Sequence, residues 1–217
     1  MVQKAISYLL HTYDPAKAVW PIIPPEVEAS PHAPWWNYEK SSEIFGGFLS
    51  NPRAEILGYL HQYSDQVPTN LLETLTESVL THLNTLPNQM DTNDLSCYNH
   101  LAQTDALPES VKSRVVQKLI QAAPHTVTRN PEAWTSYCLK PLWIAPAPGA
   151  PLASLLKSDI EQNLDFEIEH QGPDGAWSPF WSWAEQYPEA WQKAECAWKS
   201  HITFQVLKAL HHYNRIQ

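Results

Sequence analysis

The chain has little of what small extracellular folds depend on. Only three cysteines occur in 217 residues. Cys97, Cys138 and Cys196 cannot all pair within one chain, so reduced thiols and an intracellular protein are expected. Charged residues make up 17% of the chain, and 14 Lys and Arg stand against 23 Asp and Glu, for a formal net charge of -9. A field of that sign repels a phosphate backbone, which argues against general nucleic-acid binding. No apolar run reaches bilayer length. The most apolar late stretch, Leu139 to Leu156, is broken by Lys140 and four prolines, and Ala5 to Leu10 is too short for a secretory core. A cytoplasmic protein without a transmembrane segment is expected. There is also no Gly-rich phosphate loop, no His-Glu-x-x-His, no Gly-x-Ser-x-Gly and no calcium-binding loop, so neither a cofactor nor serine hydrolysis is expected.

What the chain does have is aromatic and apolar material. Hydrophobic residues reach 43%, with 10 Trp, 9 Tyr and 19 Pro beside only 6 Gly. That suffices for a sizeable core, and so much indole fits either a lined cavity or a heavily aromatic core.

Apolar residues recur at helical spacing in nearly every segment: Ile6, Leu9, Leu10 and Tyr13, then Ile56, Leu57, Leu60 and Tyr63. Leu72, Leu75, Val79, Leu83 and Leu86 continue the pattern behind Asn70, a capping residue with Glu73 in the first turn. Val111, Val115 and Leu119 mark a further helix. Leu152, Leu156, Ile160, Leu164 and Ile168 step along one face, while Asp159, Glu161, Asp165, Glu167 and Glu169 are expected to solvate the other. Asn51-Pro52 and Asn130-Pro131 read as helix starts. Sustained period-two alternation is missing. The expectation is one all-α domain over 1–217, with about eight helices and a Pro- and Trp-rich insert at about 20–47. That insert carries Pro31-His-Ala-Pro-Trp-Trp-Asn-Tyr38, and its length and aromatic content suggest a segment that folds over an opening.

A helix, then His170-Gln-Gly-Pro-Asp-Gly-Ala-Trp177, then a long helix from about Pro188 to Asn214, read as a helical hairpin around a Gln-x-x-Asp-Gly-x-Trp turn. Gln171, Asp174, Gly175 and Trp177 match, position by position, the QW repeat, and the segment resembles the terpenoid cyclase and protein prenyltransferase superfamily. A degenerate second copy runs from His11 to Pro21, retaining Asp14 and Trp20; a repeated hairpin suits a toroid or solenoid. The resemblance implies helical hairpins arranged as an (α/α) toroid around a hydrophobic cavity, with the Gln and Trp of each repeat tying hairpins together. The chain departs from the superfamily in its chemistry-bearing boxes. It has no Asp-x-Asp-Asp run and no Asp-rich magnesium box, and Asp94-Leu-Ser-Cys97 is one residue wider than the Asp-x-Cys zinc pair of the prenyltransferases. No metal site is expected.

Three polar groups stand out. Asp94 shares a helix face with Cys97, Tyr98 and Leu101, and could exchange a proton in a cavity or simply favour the first turn of its helix. Glu195 interrupts the stripe Trp191, Trp198, Ile202, Val206, Ala209 and Tyr213; desolvated there it would be a proton donor, and at the stripe edge it would pair with Lys199. His32 is the titratable side chain among the aromatics of the insert. Trp35, Trp36, Tyr38, Tyr98, Trp134, Trp181, Trp183 and Trp198 are the candidate ligand-binding walls, since indole faces suit both greasy and cationic centres.

Two functions fit these residues. One is a cofactor-free cyclase or isomerase acting on a hydrophobic isoprenoid, a polyene or an unsaturated carbonyl compound, by acid-base chemistry at Glu195, Asp94 or His32 or by a pericyclic ring closure in which holding the substrate folded supplies most of the effect. The other is a non-catalytic terpenoid or lipid carrier, or a helical scaffold for a protein partner.

Overall fold

The computed structural model describes residues 1–21, 23–38 and 49–217. The expected insert at 20–47 therefore lies partly outside the described residues. Among the described residues every regular element is helical, and the one pairing of extended backbone is an isolated bridge between Asp14 and Val19. The absence of period-two alternation and the shortage of glycine turns account for this.

The chain divides into two compact units, residues 1–25 with 38–126 and residues 26–37 with 127–217. In the first, α1 (Val2–Thr12) precedes α2 (Arg53–Gln62), α3 (Thr69–Thr85), α4 (Thr92–Ala102) and α5 (Glu109–Thr126). Helix α2 packs on α3 and α4, and α5 packs on the same two. The apolar positions at helical spacing form the shared core: Ile56, Leu57 and Leu60 of α2, Leu75, Val79 and Leu83 of α3, Leu95 and Leu101 of α4, and Val111, Val115 and Leu119 of α5. Gly58 permits the close approach of α2 to the end of α4, because a Cβ there would stand 2.6 Å from Thr104 Oγ1. Asp91 caps α4 by accepting from the Asn93 N–H at 2.8 Å, so that cap and apolar period agree on where the helix begins. Helix α3 begins at Thr69, behind Pro68 rather than at an Asn70 cap.

The second unit holds all but the first residue of a short 3-10 turn at Pro25–Ala29, further 3-10 turns at Pro34–Trp36 and Pro131–Thr135, then α6 (Pro141–Ile144), α7 (Lys157–Glu169) and α8 (Pro188–His212). Asn130 caps its proline-started turn by accepting from the Glu132 N–H at 3.2 Å, as the Asn-Pro pair predicts. Helix α7 packs on α6 and on the turn before it. Leu152, Leu156, Ile160 and Leu164 are buried as their spacing requires. The opposite face departs from expectation: Asp159 and Glu167 are buried too, at 5% and 4% exposure. They can be because each has a cation. Arg129 Nε donates to Asp159 at 2.9 Å and Lys140 Nζ to Glu167 at 2.8 Å, and Asn163 adds its amide N–H to Glu167 at 3.2 Å. A buried carboxylate persists only when paired and hydrogen-bonded in this way.

The Gln-x-x-Asp-Gly-x-Trp segment forms the turn between α7 and α8. Gln171 Nε2 donates to the Gly175 carbonyl at 2.8 Å, and Gly175 sits at φ +80°, a left-handed value that favours glycine. The Trp177 indole N–H donates back to the Glu167 carbonyl of α7 at 2.9 Å, while its backbone N–H donates to Thr203 Oγ1 of α8 at 3.1 Å. Lys199 of α8 pairs with Asp174. One tryptophan thus joins both arms of the hairpin.

Candidate functional site

In the N-terminal unit the polar side chains of Ser50, Asn51, Arg53, His82, Asp94, Cys97 and Tyr98 form one group. Helix α4 presents Asp94, Cys97 and Tyr98 from successive turns, as the i, i+3, i+4 spacing demands. The segment leading into α2 supplies Ser50 and Asn51, and α3 supplies His82. Ser50 is the hub. Its hydroxyl stands 3.1 Å from His82 Nε2, donates to the Asp94 carboxylate and lies beside the Tyr98 phenol. The Asn51 N–H is a second donor to Asp94, and the Asn51 side-chain oxygen accepts from Cys97 Sγ at 3.6 Å. Tyr98 donates its hydroxyl to the Val79 carbonyl at 3.2 Å.

Arg53 lies beneath this group, buried inside α2. It donates from Nε to the Leu49 carbonyl at 2.7 Å, and from one terminal nitrogen to the Ala18 carbonyl and to Ser78 Oγ, both at 3.1 Å. Its five N–H donors in a fixed fork allow one side chain to hold three separate segments. Those bonds place Leu49, and with it the neighbouring Ser50 and Asn51, against α3 and α4.

The surroundings divide the ionisable groups sharply. Burial pushes Asp94 up to about 6, the like charge of Asp91 adds to the rise, and the bonds from Ser50 and Asn51 limit it. Burial likewise raises the Cys97 thiol to about 12, helped by the Glu55 and Asp94 carboxylates, which leaves it un-ionised and unreactive. Tyr98 is raised by burial, and His82 is lowered by burial and then by Arg53. Across α2 and α4, the hydrogen bond from His100 to Glu55 at 3.3 Å holds the Glu55 carboxyl down and the His100 imidazole up, and Tyr59 donates to the same carboxyl at 2.6 Å. Of these groups Asp94 alone is a carboxyl raised toward neutrality. Such a group can donate a proton near pH 7 and take one back.

The other sequence candidates lie in the second unit, apart from Tyr38, which belongs to the first. Glu195 is on the exposed side of α8 with no ion pair among the described residues, since Lys199 turns to Asp174 instead. His32 is tucked away, its side chain 9% exposed; Nδ1 lies 2.7 Å from the Ser30 carbonyl and the ring rests 6.1 Å from Tyr187. Trp35 and Trp36 stand 47% and 37% exposed on their 3-10 turn, and Tyr38 is half-buried. Trp134 is a core residue whose indole donates to the Thr128 carbonyl at 2.7 Å and meets Phe166 edge-on at 5.3 Å. Trp181 contacts Phe180 and Trp198, each edge to face, at 4.7 and 5.3 Å. Trp183 instead joins Trp191 at 5.1 Å. The strip continues through Phe180 to Tyr137 and Trp143, and Tyr137, Trp143 and Trp198 are exposed on it.

The structure therefore brings Asp94 together with Tyr98, and Trp181 together with Trp198. Ser50, His82 and Arg53 complete the polar group. Arg53 could have been noticed as the single Lys or Arg of its helix; Ser50 and His82 carry no signal before the helices are packed. Among the described residues no three His, Cys, Asp or Glu side chains converge as a metal site would require, and no helix is long and apolar enough to cross a membrane. No protein-family model, no curated protein and no solved structure matches the chain.

Proposed function

We propose that the protein is a cofactor-free, acid-base isomerase or cyclase of the terpenoid-cyclase kind, acting on a hydrophobic isoprenoid or unsaturated carbonyl compound with Asp94 as its proton donor. The observation that carries this reading is the Asp94 carboxyl, set between the Ser50 hydroxyl and the Asn51 N–H and raised to about 6. At pH 7 roughly a tenth of such a group is protonated, enough to serve as an acid and to be restored between turnovers. The matching turns at Trp20 and Trp177 support a repeated hairpin, and in this proposal the hairpins form the toroid that the QW resemblance implies.

The test uses the intact protein in deuterated water with squalene and geranylgeraniol as probe substrates, and mass spectrometry of the products. Proton donation to an alkene leaves one deuterium in the isomer. Wild-type protein is expected to yield it, and Asp94→Asn, which keeps the hydrogen-bond acceptor, to lower the yield by about 10²-fold or more. A labelled product of equal yield from Asp94→Asn would overturn the role of Asp94.

A second reading, a terpenoid or lipid carrier without chemistry, draws on the exposed rings of Tyr137, Trp143 and Trp198. It calls for ligand-induced quenching of tryptophan fluorescence with no product formed.

A further inference from the structure

We propose that His82 and Ser50 form a proton relay that recharges Asp94; this rests on the reading of Asp94 as the acid and deepens it. An acid that gives up its proton each cycle must recover one from water. The two donors to the Asp94 carboxylate are the Ser50 hydroxyl and the Asn51 N–H. An amide cannot pass on its proton under these conditions, whereas a hydroxyl can do so if another donor replaces the proton at once. His82 Nε2, 3.1 Å from Ser50 Oγ, is placed to do this.

The geometry leads outward from there. His82 is half-buried, and its second ring nitrogen, Nδ1, lies 3.5 Å from the hydroxyl of Thr85 in an exposed setting. The ring thus has one nitrogen toward Ser50 and one toward the surface. In the transfer, the imidazolium gives its Nε2 proton to Ser50 Oγ as the Ser50 Oγ–H bond breaks and that proton passes to the Asp94 carboxylate. A cationic imidazole and an anionic carboxylate become a neutral imidazole and a carboxylic acid, with Ser50 unchanged. The imidazolium itself forms beforehand, when the neutral ring with its proton on Nε2 takes a proton from water at Nδ1; after the transfer the ring keeps that Nδ1 proton, and exchange with solvent returns the Nε2–H tautomer.

The neighbouring groups favour the exchange. Arg53 and burial lower the His82 imidazole, which makes it a readier donor, and Asp91 and burial raise Asp94, which makes it a readier acceptor. The other ionisable groups near this path are Tyr98, Cys97 and, across α2, Glu55. Tyr98 and Cys97 are both raised and stay neutral, so neither competes for the proton. Ser50 and His82 act through Asp94 and are positioning residues.

Two measurements on the full chain test the relay. In the deuterium-labelling assay, His82→Gln keeps a side-chain N–H donor toward Ser50 but cannot titrate, and His82→Ala removes the group. Both are expected to lose about 10-fold to 100-fold in rate, with the His82→Ala loss largely restored by added imidazole and the His82→Gln loss not. Ser50→Ala is expected to lose as much and to resist imidazole, because the missing link is the hydroxyl. A purely structural His82 would give His82→Gln full activity and no imidazole rescue, and that result overturns the relay.

The second measurement does not depend on turnover. The Asp94 carboxyl and the His82 imidazole are titrated by carbon and nitrogen magnetic resonance. In wild-type protein each is expected to show an inflection at the other's midpoint, and in Ser50→Ala the Asp94 midpoint is expected to move up as its donor is lost. Independent titrations with an Asp94 midpoint unmoved by Ser50→Ala overturn the relay even if labelling succeeds. Coupled titrations with no labelled product from any probe overturn the isomerase reading instead.

Discussion

The indole N–H of Trp177 donates to the carbonyl of Glu167, 2.9 Å away and on the last turn of the preceding helix. Trp20 makes a like bond after α1, to the Leu9 carbonyl at 2.6 Å. The likeness extends to the backbone. The residue two before each tryptophan is left-handed, Gly175 at φ +80° and Ala18 at φ +55°. The residue just before each tryptophan accepts a backbone N–H from the start of the turn, Gly172 to Ala176 at 2.9 Å and Asp14 to Val19 at 2.9 Å. In each turn an aspartate caps the backbone two residues on, Asp174 to Ala176 and Asp14 to Ala16. The two segments thus share the indole tie and the left-handed residue, although Asp174 stands three residues before its tryptophan and Asp14 six before its own.

If that bond ties the turn to its helix, Trp177→Phe should keep the packing and leave the Glu167 carbonyl short of a donor. The expected cost is about 1 to 3 kcal/mol, and about 3 to 5 kcal/mol for Trp177→Ala. Urea denaturation followed by circular dichroism gives both values, and the isomer distribution in the labelling assay should be the same for Trp177→Phe as for wild type.

The left-handed positions predict opposite signs for two exchanges. Gly175→Ala places a Cβ at φ +80° and should destabilise by about 1 kcal/mol. Ala18→Gly relieves the same strain at φ +55° and should be neutral to stabilising by about 0.5 to 1 kcal/mol, since the relief exceeds the added freedom of the unfolded chain. Thermal melting of the two variants beside wild type reads both.

The Lys140–Glu167 pair is buried on both sides, at 8% and 4% exposure. Lys140→Met strands a buried carboxylate and should cost about 3 to 5 kcal/mol. Adding Glu167→Gln removes the charge while keeping an acceptor for Asn163, and most of the loss should return. A double-mutant cycle in guanidinium measures the coupling.

Asp94 makes stability depend on pH in a defined direction. Its folded pKa of about 6 lies above the ordinary value of 3.8. The folded state therefore holds the proton more tightly, and the stabilisation is present in full below 3.8 and is lost as the pH rises through 6. Asp94→Asn carries no such term. Relative to wild type it should gain stability between pH 4 and pH 7, and denaturation midpoints of both proteins at those two pH values supply the difference in which the other titrating groups largely cancel.

The sequence by itself determined the helices and the hairpin turn. Apolar residues three and four apart choose a helix wherever a neighbour can bury them, and the Asp-Gly-x-Trp string demands a left-handed residue and an aromatic anchor, both properties of the local chain. It also brought Asp94, Cys97 and Tyr98 to one face, because that relation is internal to a helix. What only the tertiary structure decided is the environment of each group. Asp94 becomes an acid near neutrality because burial and the like charge of Asp91 raise its pKa, while Ser50, distant in the chain and placed by the bond of Arg53 to Leu49, limits the rise. Glu195, set between indoles in the linear pattern, stays in solvent on the exposed side of α8. Glu167 looked like a solvated carboxylate on a charged face and is instead buried, because Lys140 from another segment meets it. Periodicity orients a side chain around its own helix, whereas burial and pKa are set by what the rest of the chain brings against that face.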